Sequence, residues 1–212
     1  MITLYSWTTP NGRKISILLE ELGLAYLVKP INIGQGEQFS PEFIAVSANS
    51  KIPAIVDDAA PGGPLAIFES AAILTYLADT HGGFLAKDGP ARWKALEWLA
   101  WQVSALGPIL GQLGYFVGRA PEKLPLAIGR FTEETERLLG VMDRRLGEAP
   151  YLAGDDYSIA DIAAYPWTSA AFGLLAPVLG DKLAAFGHIR RWLDVVAARP
   201  AVVKGMAVPV VC

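Results

Sequence analysis

Ser50-Lys51-Ile52-Pro53-Ala54-Ile55-Val56-Asp57 carries a polar loop through a proline into an apolar strand, and its setting decides the fold. X-Pro bonds are mostly trans, so spacing alone favours a proline that marks where an ordinary strand starts. A cis bond would instead turn the backbone of Ile52 outward. Its N–H and C=O would then be able to pair with an extended peptide ligand as an added strand. Downstream, Pro61-Gly62-Gly63-Pro64 is a turn and Leu65-Ala66-Ile67-Phe68 a further short strand, so the two strands make a hairpin. Beyond Ser70, Ile73, Leu74 and Leu77 recur at helical spacing until Gly82-Gly83. Upstream, Ile2, Leu4 and Ser6 alternate with Thr3 and Tyr5 as a strand. Ile15, Leu18, Leu19 and Leu22 then mark a helix closed by Gly23, and 26–33 reads as a strand with Pro30 at an edge position. That strand–helix–strand unit is expected to be parallel. With a short helical piece over 41–46, the order across residues 1–82 is β-α-β-α-β-β-α.

Residues 83–90 read as a linker of Gly, Asp and Pro. After it come helical runs over 91–117, which holds Trp93, Trp98 and Trp101, over 125–146, from near Ser158, and over 188–198, ended by Pro200. The expected organisation is an α/β domain over 1–82 and an all-helical domain over 91–212. Ser158-Ile159-Ala160-Asp161 has the form of a capping box with Asp in place of Glu, and its reading is structural.

Composition narrows the function classes. Of 212 residues, 52% are hydrophobic and 18% charged, which supplies a packed core and excludes a disordered chain. A net charge of −3 leaves no basic footprint for nucleic acid. No apolar run approaches the roughly 20 residues that span a bilayer. Met1-Ile2-Thr3-Leu4-Tyr5 lacks the form of a secretory signal, so a cytoplasmic protein is expected. The single cysteine, Cys212, excludes intramolecular disulfides, a Cys-x-x-Cys redox pair and a cysteine zinc site. His81 and His188 are too few and too scattered for a metal cluster, so no metal is expected.

Three features carry chemistry, each with a plain structural alternative. The proline segment is the first. Glu69-Ser70 is the second: Ser70 suits a helix N-cap, the helix start attracts a carboxylate, and Glu69 suits an ammonium. Simple capping explains the same residues. The third is Thr8-Thr9-Pro10-Asn11-Gly12, a loop leaving the C-terminal end of a strand and opening a helix. Thr9 and Asn11 can donate hydrogen bonds to a sulfur and favour its thiolate. A turn with an Asn cap is the alternative.

The β-α-β-α-β-β-α frame, with this proline, the acidic-Ser helix start and an all-helical partner domain, resembles the glutathione transferases over nearly the whole chain. Thr9-Pro10-Asn11-Gly12, Gly36-Glu37-Gln38-Phe39, the run from Asn49 to Asp57 and Phe68-Glu69-Ser70 look like the bacterial Nu class of that family. So do Trp101-Gln102-Val103, Leu106-Gly107-Pro108 and Gly111-Gln112. Members of that class act as glutathione-dependent disulfide-bond oxidoreductases. The resemblance implies a thioredoxin-like N-terminal domain and assigns roles by position. Ile52, beside cis Pro53, would hold the cysteinyl backbone of glutathione. Glu69 and Ser70 would bind the γ-glutamyl end. Lys51 and Gln38 would lie near the glycyl end. Thr9 and Asn11 would face the sulfur as the catalytic pair. Arg130 would meet a second glutathione. Tyr5 and Ser6 fall within the first strand, so neither is assigned a catalytic role.

The implied activity is reduction of a small disulfide by one or two glutathione molecules per site, with no protein cysteine taking part. Conjugation of glutathione to a small electrophile is the alternative, with Tyr115, Phe116 and Trp167 available to line an apolar pocket. A non-catalytic glutathione-binding module is the third reading. The apolar surface of the 91–117 helix is a candidate homodimer contact.

Overall fold

The computed structural model describes residues 1–210; Val211 and Cys212 lie outside the described residues. The described chain divides into two compact units. One comprises Met1–Leu85 together with the chain from Ala198 onward, the other Ala86–Ala197.

The first unit is built on strands β1 (Ile2–Ser6), β2 (Tyr26–Pro30), β3 (Ala54–Asp57) and β4 (Leu65–Phe68), in the spatial order β2-β1-β3-β4. β1 and β2 are parallel, with Ile2 opposite Tyr26 and Ser6 opposite Pro30. β1 and β3 are antiparallel, as are β3 and β4. Pro30 therefore lies on an edge strand, where its missing N–H costs the ladder nothing. Side chains alternate between faces. Ile2, Leu4 and Ser6 are buried on one face of β1, while Tyr5 on the other joins Phe43, Ile52 and Ala54 in a second small core.

Helix α1 (Pro10–Glu21) buries Ile15, Ile17, Leu18 and Leu19. Thr9 caps it by accepting from the Gly12 N–H at 3.4 Å, and Pro10 opens it without wasting a donor. Helix α2 (Pro41–Ile44) supplies Phe43 to the second core, and a 3₁₀ turn over Glu37–Phe39 precedes it. Helix α3 (Ser70–His81) packs against α1 through a face that includes Ile73, Leu74 and Leu77.

The second unit contains α4 (Gly89–Trp101), a π-helical turn (Gln102–Leu106), α5 (Gly107–Gly118), α6 (Pro125–Glu148), α7 (Ile159–Phe172), α8 (Ala176–Leu179) and α9 (Gly187–Ala197). Asp161 forms the capping box expected of its sequence. Its carboxylate accepts from the Ser158 N–H at 3.1 Å and also from the Leu152 N–H at 3.0 Å and Trp192 Nε1–H at 2.9 Å. One side chain thus ties the start of α7 to the preceding loop and to α9. No single helix among the described residues is long and apolar enough to cross a membrane.

The end of the chain differs from the sequence reading. The helix over 187–197 does end before Pro200, but Pro200 then opens one more helix, α10 (Pro200–Met206), as its N1 residue. This helix packs on α1 in the first unit. The Ser16 hydroxyl donates to the Gly205 carbonyl at 2.7 Å, and Arg199 grips Glu21 through two bonds of 2.6 and 2.9 Å. The span 91–212 is therefore not one helical unit, because its last helix finds its apolar partner on α1.

Candidate functional site

Register brings the separated motifs together. Tyr5 lies opposite Ala54, and Ala54 opposite Phe68, so one row of residues crosses β1, β3 and β4. The loop into α1 leaves just beyond Tyr5, the Lys51–Pro53 segment arrives just before Ala54, and Glu69-Ser70 follows Phe68. Their meeting point is a cleft of about 190 Å³ lined by Asn11, Asn49, Lys51, Ile52, Pro53, Glu69 and Ser70. Usual ligand pockets measure about 300–1,000 Å³, so this cleft takes part of a ligand rather than the whole of a bulky one. The Ile52–Pro53 bond is cis.

The cleft holds a cation in Lys51, an anion in Glu69, a hydroxyl in Ser70 and amides in Asn11 and Asn49. Helix α3 begins at Ser70, and Glu69, not Ser70, stands at the cap position. Glu69 has φ 72°, a left-sided backbone costing about 1–3 kcal/mol in a residue other than glycine. It makes no side-chain cap bond. Its carboxylate instead accepts from Asn49 Nδ2 at 3.3 Å. The Ser70 hydroxyl is likewise not spent on capping and accepts from Lys14 Nζ at 3.3 Å. Lys14 is 1% exposed. Burial drives its ammonium down to about pKa 7, against the opposing pull of the Glu69 carboxylate. Asn49 and Lys14 were not singled out from the sequence. Asn49 stands inside a motif already quoted, but no local pattern pairs it with a residue twenty positions on. Lys14, beside Arg13 on a helix, reads as a solvated cation.

The remaining expected residues lie as follows. Thr9 is not among the lining residues; its oxygen caps α1 one position before Pro10. Gln38 sits half-buried in the 3₁₀ turn, outside the lining of this cleft. Arg130 belongs to α6 in the second unit, where it is exposed and pairs with Glu134 at 3.6 Å. The Ser6 hydroxyl is buried and donates to the Trp7 carbonyl, while the Tyr5 ring tilts against Phe43 at 5.9 Å. In the second unit Tyr115 meets Phe116 edge-on at 5.2 Å, Phe116 stacks on Phe131 at 5.6 Å, and Trp167 lies against Gly107 and Gly111. Among the described residues no group of three or more His, Cys, Asp or Glu is placed to hold a metal.

The chain matches known proteins along both units. Residues 1–79 match the profile of the glutathione S-transferase N-terminal domain, and residues 128–200 that of the C-terminal domain. The disulfide-bond oxidoreductase YfcG of Escherichia coli is 46% identical over 203 residues, 95% of this chain and 92% of its own length. A glutathione transferase from Burkholderia graminis, solved with two glutathione molecules per subunit, aligns with TM-score 0.93 and 41% identity, covering 98% of this chain and 88% of that one. One from Pseudomonas putida, solved with one glutathione disulfide per subunit, aligns with TM-score 0.93 and 42% identity, covering 98% and 91%.

Proposed function

The chain belongs to the glutathione S-transferase family, and from that premise we propose that it is a glutathione-dependent disulfide-bond reductase. The observation that carries the reading is the cleft that gathers Asn11, Lys51, Ile52, Glu69 and Ser70. Glutathione has an amino-acid end carrying both charges, a central cysteine and a terminal carboxylate. Glu69 and Ser70 suit the first, Ile52 beside Pro53 the second, and Lys51, with Gln38, the third. Asn11 and Thr9 face the sulfur and hold it as thiolate by donating hydrogen bonds. Thr9 can do so while capping α1, since its oxygen accepts there and its proton stays available.

In the reaction the glutathione thiolate attacks one sulfur of the substrate disulfide. A mixed disulfide forms and the first substrate thiolate leaves. A second glutathione thiolate attacks the glutathione sulfur of that intermediate. Glutathione disulfide forms, the second substrate thiolate leaves, and the two thiolates take the protons that the glutathiones gave up. The protein supplies alignment and a lowered thiol pKa. Arg130 is proposed to hold the second glutathione. A reduced glutathione pool is needed, which supports a cytoplasmic location. The chain is also proposed to form a homodimer.

Turnover of glutathione with a small disulfide, measured beside a model aryl halide, tests the reading. Fast disulfide reduction with weak conjugation is expected. Asn11→Ala should lower disulfide turnover roughly 10- to 100-fold while changing glutathione affinity far less. Conjugation faster than disulfide reduction would favour the electrophile reading, which the aromatic cluster of Tyr115, Phe116 and Phe131 also suits. Binding without turnover of either substrate would leave only a glutathione-binding module.

A further inference from the structure

Lys14 lies on the face of α1 that buries Ile15, Ile17 and Leu18, a place where an apolar side chain would be the cheaper occupant. It is 1% exposed, and its Nζ lies 3.3 Å from the Ser70 hydroxyl at the back of the cleft. An ammonium has three donors and no acceptor, whereas a serine hydroxyl has one proton and two lone pairs. In this contact Ser70 can only accept, so its proton must be used elsewhere. We propose that Lys14 is the positioning residue of the cleft: its buried ammonium fixes the Ser70 hydroxyl as an acceptor on the inner side and turns the Ser70 O–H outward, toward the carboxylate of a bound amino-acid end. This inference rests on the reading of Ser70 as a contact for the γ-glutamyl end of glutathione.

The arrangement responds to pH. A neutral amine carries a lone pair, so deprotonated Lys14 accepts the Ser70 proton and withdraws it from the cleft. Burial brings that change to about pH 7. Of the charged groups on the packed elements, Glu69 at the head of α3 acts on Lys14 directly. Arg13 is its neighbour on α1, and β1 carries no charged side chain. Asp79 and His81 stand at the far end of α3, and Arg199, which precedes α10, and Lys204 within it gather with Glu20 and Glu21 at the far end of α1. A carboxylate in the cleft favours the ammonium, so ligand binding and Lys14 protonation reinforce each other.

The experiment measures binding of S-methylglutathione, which has no titrating thiol, and of its 4-aminobutyryl counterpart, which lacks only the α-carboxylate. Wild-type protein is expected to prefer S-methylglutathione and to lose part of that preference from about pH 6 to about pH 8.5. Lys14→Met should weaken S-methylglutathione about tenfold and leave the 4-aminobutyryl ligand within about twofold. Unchanged S-methylglutathione affinity in Lys14→Met, with the wild-type preference intact, overturns the role of Lys14 alone. Equal wild-type affinity for the two ligands overturns the γ-glutamyl reading beneath it. Should Lys14→Met fail to fold, the wild-type series decides, and a preference independent of pH overturns the proposal.

Discussion

A cation sealed inside the first unit leaves a mark on stability as well as on binding. Lys14 ionises near pH 7 when folded and near 10.5 when exposed. Between those values the unfolded chain holds a proton that the folded chain has shed, so stability rises with pH across that window. Below it the full cost of the buried charge applies. Lys14→Met removes the charge at similar volume, so near pH 6 the variant should withstand denaturant better than wild type by on the order of a few kcal/mol. The gap should close as pH climbs toward 10. Urea unfolding midpoints at several pH values check this, and a gap that stays constant with pH would refute it. At this scale the sequence makes a residue's place legible where its signal is local. Asn11, Lys51, Ile52, Pro53, Glu69 and Ser70 were quoted from their own motifs and do share one cleft. It fails where chemistry depends on a partner across the fold. Lys14 and Asn49 acquire their meaning only from Ser70 and Glu69, and the packing of α1 on α3 and the pairing of β3 with β4 set those meetings.

The strands and long helices are legible because their periods run long enough to read and because turns and caps bound them. The hairpin follows from residues within a few positions of one another, and the parallel first pair from a helix long enough to carry the chain back between two strands. Helix α10 is different. It spans seven residues, too few for a periodic signal, and it opens with a proline that equally signals a stop. Besides its bonds to Ser16 and Glu21, a close backbone approach holds it to its partner. A methyl group at Gly205 would lie 2.5 Å from the Ile17 Cα and 2.6 Å from the Ile17 nitrogen, and backbone atoms cannot step aside. Gly205→Ala should therefore push α10 off α1, strain the Ser16 and Arg199 contacts and cost about 1–3 kcal/mol. A lowered melting temperature, with faster amide exchange along α1 and α10, is the expected signature. An unchanged melting temperature would mean that the two helices can separate at no cost.

Across the whole chain the association state is open to direct measurement. Trp93 on α4 is 69% exposed, a large apolar surface for a residue usually shielded. Sedimentation equilibrium should give about twice the 22.7 kDa chain mass, and Trp93→Glu should shift the balance toward single chains. A single-chain mass for wild type at every concentration would remove the homodimer. The return of the last helix to the first unit also bears on how the molecule comes into being. A ribosome releases the sheet early, yet the surface of α1 that receives α10 must stay uncovered while residues 86–197 are made. At about 5–20 residues per second that wait lasts roughly ten seconds. The part of the protein synthesised first is thus among the last to be completed, and a nascent chain halted inside the helical segment would carry the motifs of the cleft on an unfinished unit.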